Sequence, residues 1–261
     1  MKGRVDMEKI RLENLTLAFD RRGSGQPLLL IHGFPLDRAV WTQLSTRLET
    51  NFDVIMPDLR GFGDSSLPQG NTTIEQMAAD LAELLDGLNI QSAYIAGHSM
   101  GGYVALAFAH AYPQRVLGLG LLGSQALPDS PESKAARFAT AEQVSLKGVN
   151  AVAGMAEKLS ADPSFVDYFR EIILRQRPEG VIAALKAMAG RADATKFAPS
   201  FGFPVVLVHG LADALIPPER AREMKALVPQ ASLVELPGVG HSSMLEAPGE
   251  TAQALLKFLN L

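Results

Sequence analysis

Residues 97–101 read Gly-His-Ser-Met-Gly, a serine with a glycine two positions away on either side. A hydroxyl held in that setting can attack a carbonyl carbon once a neighbouring base takes its proton. Residues 93–96 form an apolar run, as expected of a parallel strand covered on both faces. Met100 opens a stretch carrying Val104, Leu106, Ala107 and Phe108 that stops before Pro113, a residue unable to continue a helix. A serine on so sharp a strand-to-helix corner has a strained backbone. Side chains two residues before and after it would clash, hence the glycines. The Met100 N–H opens the helix, where free donors and the helix dipole favour a developing negative charge. The plainer reading is a glycine- and serine-rich turn without chemistry, and the strand and helix on either side tilt the balance toward a nucleophile.

Such a serine needs a base near neutral pH, and histidine is the usual one. The chain has five histidines. His110 falls well inside a helix, and His98 adjoins Ser99 with its side chain directed away. His32 and His209 end strands, where holding loop backbone by hydrogen bonds is the expected role. His241 lies in the loop VGHSSMLE after the last strand, free to reach across, and is the candidate base. The base in turn needs an orienting carboxylate. Asp213 follows a strand in HGLADALIPPE and is the candidate. Asp58 and Asp64 are its rivals, both upstream of Ser99 in a glycine-rich loop where an aspartate more often braces a turn. No carboxylate directly follows Leu122, and Glu246 shares the loop of His241. The order Ser99, Asp213, His241 is that of one sheet-based class of hydrolase.

The elements that must position these residues can be read from the apolar pattern. Residues 10–19 alternate apolar and polar, as in one or two antiparallel edge strands. Buried strands are expected at 27–31, 52–56, 93–96, 116–122, 204–209 and 231–236. Helices are expected at 38–48, 72–88, 100–112, 217–227 and 248–259, with a loop over 237–247. Residues 124–200 lack a strand run. There Val149, Val152, Met155 and Leu159 share a face, as do Phe165, Phe169 and Ile172, and then Val181, Leu185 and Met188, which reads as an insertion of about four helices. Strands alternating with helices predict an α/β fold with a mostly parallel sheet and helices on both faces. In such a sheet, chemistry gathers in the loops at the carboxyl ends of the strands. His32, Asp58, Ser99, Asp213 and His241 all fall there.

Composition excludes several classes. A net charge of −4 with no basic stripe argues against nucleic acid and against an anionic membrane surface. The absence of cysteine removes disulfides, thiolate metal sites and a cysteine nucleophile. Residues 1–14 have no apolar signal core and no segment is long enough for a membrane span, so a cytoplasmic location is expected.

The chain resembles the α/β-hydrolase-fold serine hydrolases over nearly its whole length. Four blocks carry the resemblance: HGFP at 32–35, DLRGFGDSS at 58–66, GHSMGG at 97–102, and GLADALIP at 210–217 with GVGHSSMLEAP at 238–248. It implies an eight-stranded core built from residues 1–123 and 201–261, with a helical cap at 124–200. It also implies Ser99 as nucleophile, His241 as base, Asp213 as acid, and the backbone N–H groups of Phe34 and Met100 as oxyanion donors. No metal or organic cofactor is implied. The expected partner is a small-molecule substrate, and the expected state is a monomer or homodimer. Carboxylic esters or lactones are the favoured substrates. Similar proteins cleave carbon–carbon bonds, act as cofactor-free perhydrolases, or serve as low-turnover ligand receptors. A serine nucleophile, with Tyr168 the sole tyrosine of the insertion, departs from haloalkane dehalogenases and epoxide hydrolases.

Overall fold

A computed structural model describes residues 7–257. Residues 1–6 and the expected end of the last helix at 258–259 lie outside them. Eight strands form one sheet: β1 Glu8–Arg11, β2 Thr16–Gly23, β3 Gln26–Ile31, β4 Phe52–Pro57, β5 Ala93–His98, β6 Val116–Leu122, β7 Val205–Gly210 and β8 Ser232–Leu236. Their spatial order is β1-β2-β4-β3-β5-β6-β7-β8. The alternating segment 10–19 becomes the antiparallel pair β1–β2, and β2 also runs antiparallel to β4. Every other neighbouring pair is parallel. The fold class is therefore the expected one.

This order sets the position of the site. Chain order reverses at β3, which pairs with β4 on one side and β5 on the other. The loops leaving β3 and β5 diverge at their carboxyl ends and open a crevice between them. Phe34 follows β3 and Ser99 follows β5. The apolar runs that marked the inner strands reflect coverage on both faces, since β4 and β7 are buried along their whole length. Helices α2 (Ile74–Gly87) and α3 (Met100–Ala111) pack against each other, and α1 (Thr42–Leu48) packs with α9 (Pro248–Leu256). Thr73 caps α2 by accepting from the Gln76 N–H at 3.0 Å.

Between β6 and β7 lie three α-helices, α4 Pro131–Lys147, α5 Val166–Leu174 and α6 Pro178–Gly190. The fourth expected helix, over 149–159, is instead a 3₁₀ stretch from Gly148 to Lys158. Val149, Val152 and Met155 recur every three residues, which suits the three-residue turn of a 3₁₀ helix better than the α period. The segment joining α5 to α6 is anchored to the core. Arg175 makes two bonds to Asp37, at 2.8 and 2.7 Å, and Gln176 both donates to Asp37 and accepts from the Gly63 N–H. Arg177 donates to the Ser65 carbonyl and Tyr168 to that of Ala39. The remaining α-helices among the described residues are α7 (Glu219–Leu227) and α8 (Ser243–Glu246), and the expected helix at 38–48 opens with a 3₁₀ turn at Arg38–Trp41. Helix α8 is a short one within the expected 237–247 loop. No helix among the described residues is long and apolar enough to cross a membrane.

His32, at the end of β3, is fully buried. It donates from Nδ1 to the Gly33 carbonyl and accepts at Nε2 from the Leu59 N–H, both at 2.9 Å. Burial lowers its imidazole to about 4, below the ordinary 6.5. The unfolded chain takes up a proton that the fold resists, so this contribution is complete above about pH 6.5 and is lost as pH falls toward 4. Its size is on the order of 3 kcal/mol. The expected outcome is that His32→Asn lowers urea-unfolding stability at pH 7.5, with the gap to the parent narrowing at pH 4.5. A gap that widens in acid contradicts this account.

Candidate active site

Ser99 stands between β5 and α3 with φ 51° and ψ −116°, a left-handed conformation rare for any residue but glycine. Strain of this kind costs roughly 1–3 kcal/mol. It is offset by the packing on either side, where Ile95, Val104 and Phe108 are fully buried and each contributes about 1.5–3 kcal/mol. The two glycines have the expected reason. A Cβ on Gly97 would run into the Gly101 carbonyl, and one on Gly101 into that of Ile31. The corner is also tied to β6. The Ser99 N–H donates to the Leu122 carbonyl and the Ser124 hydroxyl donates to the Ser99 carbonyl, both at 2.9 Å.

His241 is 1% exposed, and its Nδ1 lies 2.7 Å from Asp213 Oδ2. The carboxylate accepts there, so Nδ1 carries the proton and Nε2 is the bare lone pair of the neutral ring. That Nε2 is buried and has no hydrogen-bond partner, so no hydrogen bond joins it to the Ser99 hydroxyl. Both residues nevertheless lie against the end of β6. Ser99 bonds to Leu122, and a Cβ on Gly123 would sit 3.3 Å from His241 Nδ1. Asp213 also accepts from the Leu215 and Ile216 N–H groups at 2.8 and 2.9 Å. Burial pulls its carboxyl upward, but the bonds from His241 and these amides outweigh burial and hold it below the usual carboxylate range. Asp213 therefore stays ionised at neutral pH.

Phe34 and Ser99 line the same cavity, of about 370 Å³, with Leu215 and Ile216 from the Asp213 loop and Leu185 and Met188 from α6. Met100 is the first residue of α3, so its N–H has no partner within that helix. The chain thus brings together Ser99, Phe34, Met100, Asp213 and His241 at one edge of the sheet. The rival aspartates stand elsewhere. Asp58 accepts from the Arg38 and Asp64 N–H groups at 2.9 Å and pairs with the Arg38 guanidinium. Asp64 pairs with Arg38 at 2.9 Å. Both brace their loop, as glycine-rich turns require. His209 donates to the Ile216 carbonyl at 2.8 Å, the structural role expected of it.

Two braces were not evident in the sequence. His98 donates from Nε2 to the His241 carbonyl at 3.0 Å, with the two rings 4.7 Å apart. Burial, aided by His241, keeps its imidazole well below the ordinary value and so neutral. Glu246 accepts from the Gly240 N–H at 2.9 Å and the Ser242 N–H at 3.1 Å. It clasps the loop that holds His241, and it reaches the Ala161 N–H of the segment between β6 and β7 at 2.9 Å. The spacing of Glu246 five residues after His241 was the available signal.

The chain belongs to the alpha/beta hydrolase fold family, whose sequence model matches residues 26–248. Its structure is similar to that of a thermophilic esterase from Thermogutta terrifontis, solved with malate bound. The TM-score is 0.92 at 40% identity, covering 98% of each chain. It is also similar to the enol-lactonase from Burkholderia xenovorans LB400, with a TM-score of 0.89 at 25% identity over 97% of this chain and 100% of that one. A relative by sequence is the dihydrolipoyllysine-residue acetyltransferase component of the acetoin cleaving system of Pseudomonas putida. It is 32% identical over 90% of this chain, which spans 64% of that protein's length.

The close approach at Gly101 is open to a direct check. Gly101→Ala is expected to lower unfolding stability by at least about 2 kcal/mol, because the obstructing Ile31 carbonyl belongs to a central strand and cannot yield cheaply. Urea denaturation followed by circular dichroism measures it. Stability equal to that of the parent contradicts the packing described.

Proposed function

We propose that the protein is a serine hydrolase that cleaves small-to-medium carboxylic esters or lactones through an acyl-enzyme on Ser99. The observation that carries this reading is the state of His241: its Nδ1 is committed to Asp213, and its Nε2 is buried without a partner near the serine corner. A buried, unpaired acceptor is destabilising unless something else uses it. A proton from the serine is such a use, and catalytic hydrogen bonds commonly tighten only when substrate is bound.

The reaction follows from the positions of the groups. Ser99 Oγ attacks the carbonyl carbon as its proton passes to His241 Nε2. Asp213 keeps the ring in the Nδ1–H tautomer and stabilises the imidazolium that forms. The carbonyl oxygen gains negative charge and is held by the Phe34 and Met100 N–H groups, the second reinforced by the dipole of α3. His241 then returns its proton to the leaving alkoxide as the acyl–oxygen bond breaks. Water, deprotonated by the same Nε2, cleaves the ester on Ser99 and regenerates the hydroxyl. In this reading residues 124–200 act as a cap that shapes the acyl pocket, and Leu185 and Met188 form part of its apolar lining. Kinship with an esterase and an enol-lactonase supports ester or lactone cleavage.

Kinetics on a panel of p-nitrophenyl esters and simple lactones test the assignment. Ser99→Ala is expected to lower kcat by on the order of 10⁴-fold with an unchanged circular dichroism spectrum, and Asp213→Asn by on the order of 10²–10⁴-fold. Near-normal turnover in Ser99→Ala rules out the nucleophile assigned here. A folded parent protein that turns over no member of the panel rules out the activity.

A further inference from the structure

The cavity over Ser99 is apolar on one side only. Phe34, Leu185, Leu215 and Ile216 form that side, while α4 presents Ser133, Ala136, Arg137 and Thr140 to the cavity at the i, i+3, i+4, i+7 spacing of one helix face. A helix roofing an apolar chamber ordinarily turns its large apolar side chains inward. Here α4 buries Val144 and Ala141, but Phe138 is 52% exposed and Leu146 71% exposed, while an arginine lines the chamber.

The charges around Arg137 do not cancel. Asp129, on the loop after β6, pairs with the Arg137 guanidinium and also receives Arg191 Nη1 at 2.6 Å. Two guanidiniums share one carboxylate, which leaves one positive charge in excess. Asp129 is the only carboxylate lining the cavity among the described residues. Arg191 is otherwise satisfied. It donates to the Met188 and Leu127 carbonyls at 2.9 Å and lies 4.2 Å above the Tyr103 ring. Arg137 is not satisfied to the same degree. Its Nη1 meets only the Met188 thioether, at 3.4 Å, and sulfur of that kind is a weak acceptor. A purely structural ion pair pinning α4 to the loop would need no surplus cation and would leave no guanidinium nitrogen facing a cavity.

We propose that Arg137, oriented by Asp129, binds a carboxylate carried by the acyl group of the substrate, remote from the carbonyl that Ser99 attacks. The preferred substrates are then half-esters of dicarboxylic acids rather than esters of simple fatty acids. The pairing is charge-assisted and can be bidentate, and it forms where water is partly excluded. Ser133, one turn of α4 before Arg137, adds a hydroxyl donor for a remaining carboxylate lone pair, whereas the Thr140 hydroxyl donates to the Ala136 carbonyl at 2.8 Å. The inference rests on Ser99 being the nucleophile, and it deepens that reading by naming a substrate class.

Proton release in a pH-stat from monoethyl adipate and from ethyl hexanoate, which match in length and differ in charge, provides the test. An apolar pocket alone favours the hexanoate. With the subsite, kcat/KM for monoethyl adipate exceeds that for ethyl hexanoate by about tenfold or more. Arg137→Gln then collapses that ratio by about tenfold, with the loss falling on KM for the adipate ester, and Arg137→Lys retains part of it. Raising salt from about 0.05 to 0.5 M lowers the ratio in the parent protein, a readout that needs no variant to fold. A parent preference for the hexanoate, or a ratio unchanged in Arg137→Gln, overturns the subsite and leaves the hydrolase reading intact. Failure to cleave either ester counts against the hydrolase reading instead. Calorimetry of adipate binding to Ser99→Ala then tests the subsite alone, with binding supporting it and no binding overturning it.

Discussion

The structure depends on one tight corner, where β5 turns into α3 and Ser99 is held in a conformation its side chain disfavours. Backbone passes so close on either side that Gly97 and Gly101 have no room for a methyl group. The strain is local and the forces opposing it are distributed. A core of fully buried strands and helices outweighs a penalty of roughly 1–3 kcal/mol many times over. The corner also sits where the chain order of the sheet reverses, which places the serine in a crevice rather than on a flat edge.

Around that corner the buried polar groups are organised as a set of mutual supports. Asp213 takes three donors, two of them from its own loop, which leaves its carboxylate ionised and aimed at His241. His98 holds the His241 backbone from below, and Glu246 closes the loop around it. Ser124 and the β6 backbone hold Ser99 from the other side. These side chains come from four segments at the carboxyl edge of the sheet, with Glu246 sharing the loop of His241. The imidazole is thereby fixed through its Nδ1 and its backbone, and of its two ring nitrogens Nε2 is the one left without a partner. On the far side of the cavity, Asp129 orients Arg137 in a comparable way, but with a positive charge in surplus.

Much of this was legible in the sequence, for physical reasons that also mark where legibility ends. Strands buried on both faces leave continuous apolar runs, so the parallel core from β3 to β7 could be read to within one or two residues. The glycines at 97 and 101 announce a close approach of backbone, and the histidines that end strands could be assigned to loop bracing from position alone. The apolar spacing of the 3₁₀ stretch at 148–158 also fits an α-helix, because periods of 3 and 3.6 are hard to tell apart over so few residues. The short helix α8 hid inside a glycine-flanked loop. The bond from His98 to His241 spans 143 positions, and the Asp129, Arg137 and Arg191 cluster joins three segments. No local pattern records such meetings, because they exist only once the sheet has assembled. The apolar stripes of the insertion were legible, but the polar inward face of α4 was not, since helical spacing alone does not say which face meets the cavity.

The most direct test of the central claim is whether Ser99 is chemically activated, and whether His241 does the activating. The measurement is the rate at which a fluorophosphonate modifies the protein, with the modified residue located by peptide mass spectrometry. The account predicts rapid, stoichiometric modification at Ser99 in the parent protein and slowing by orders of magnitude in His241→Ala. Absence of modification, modification at another residue, or an equal rate without the imidazole would contradict it.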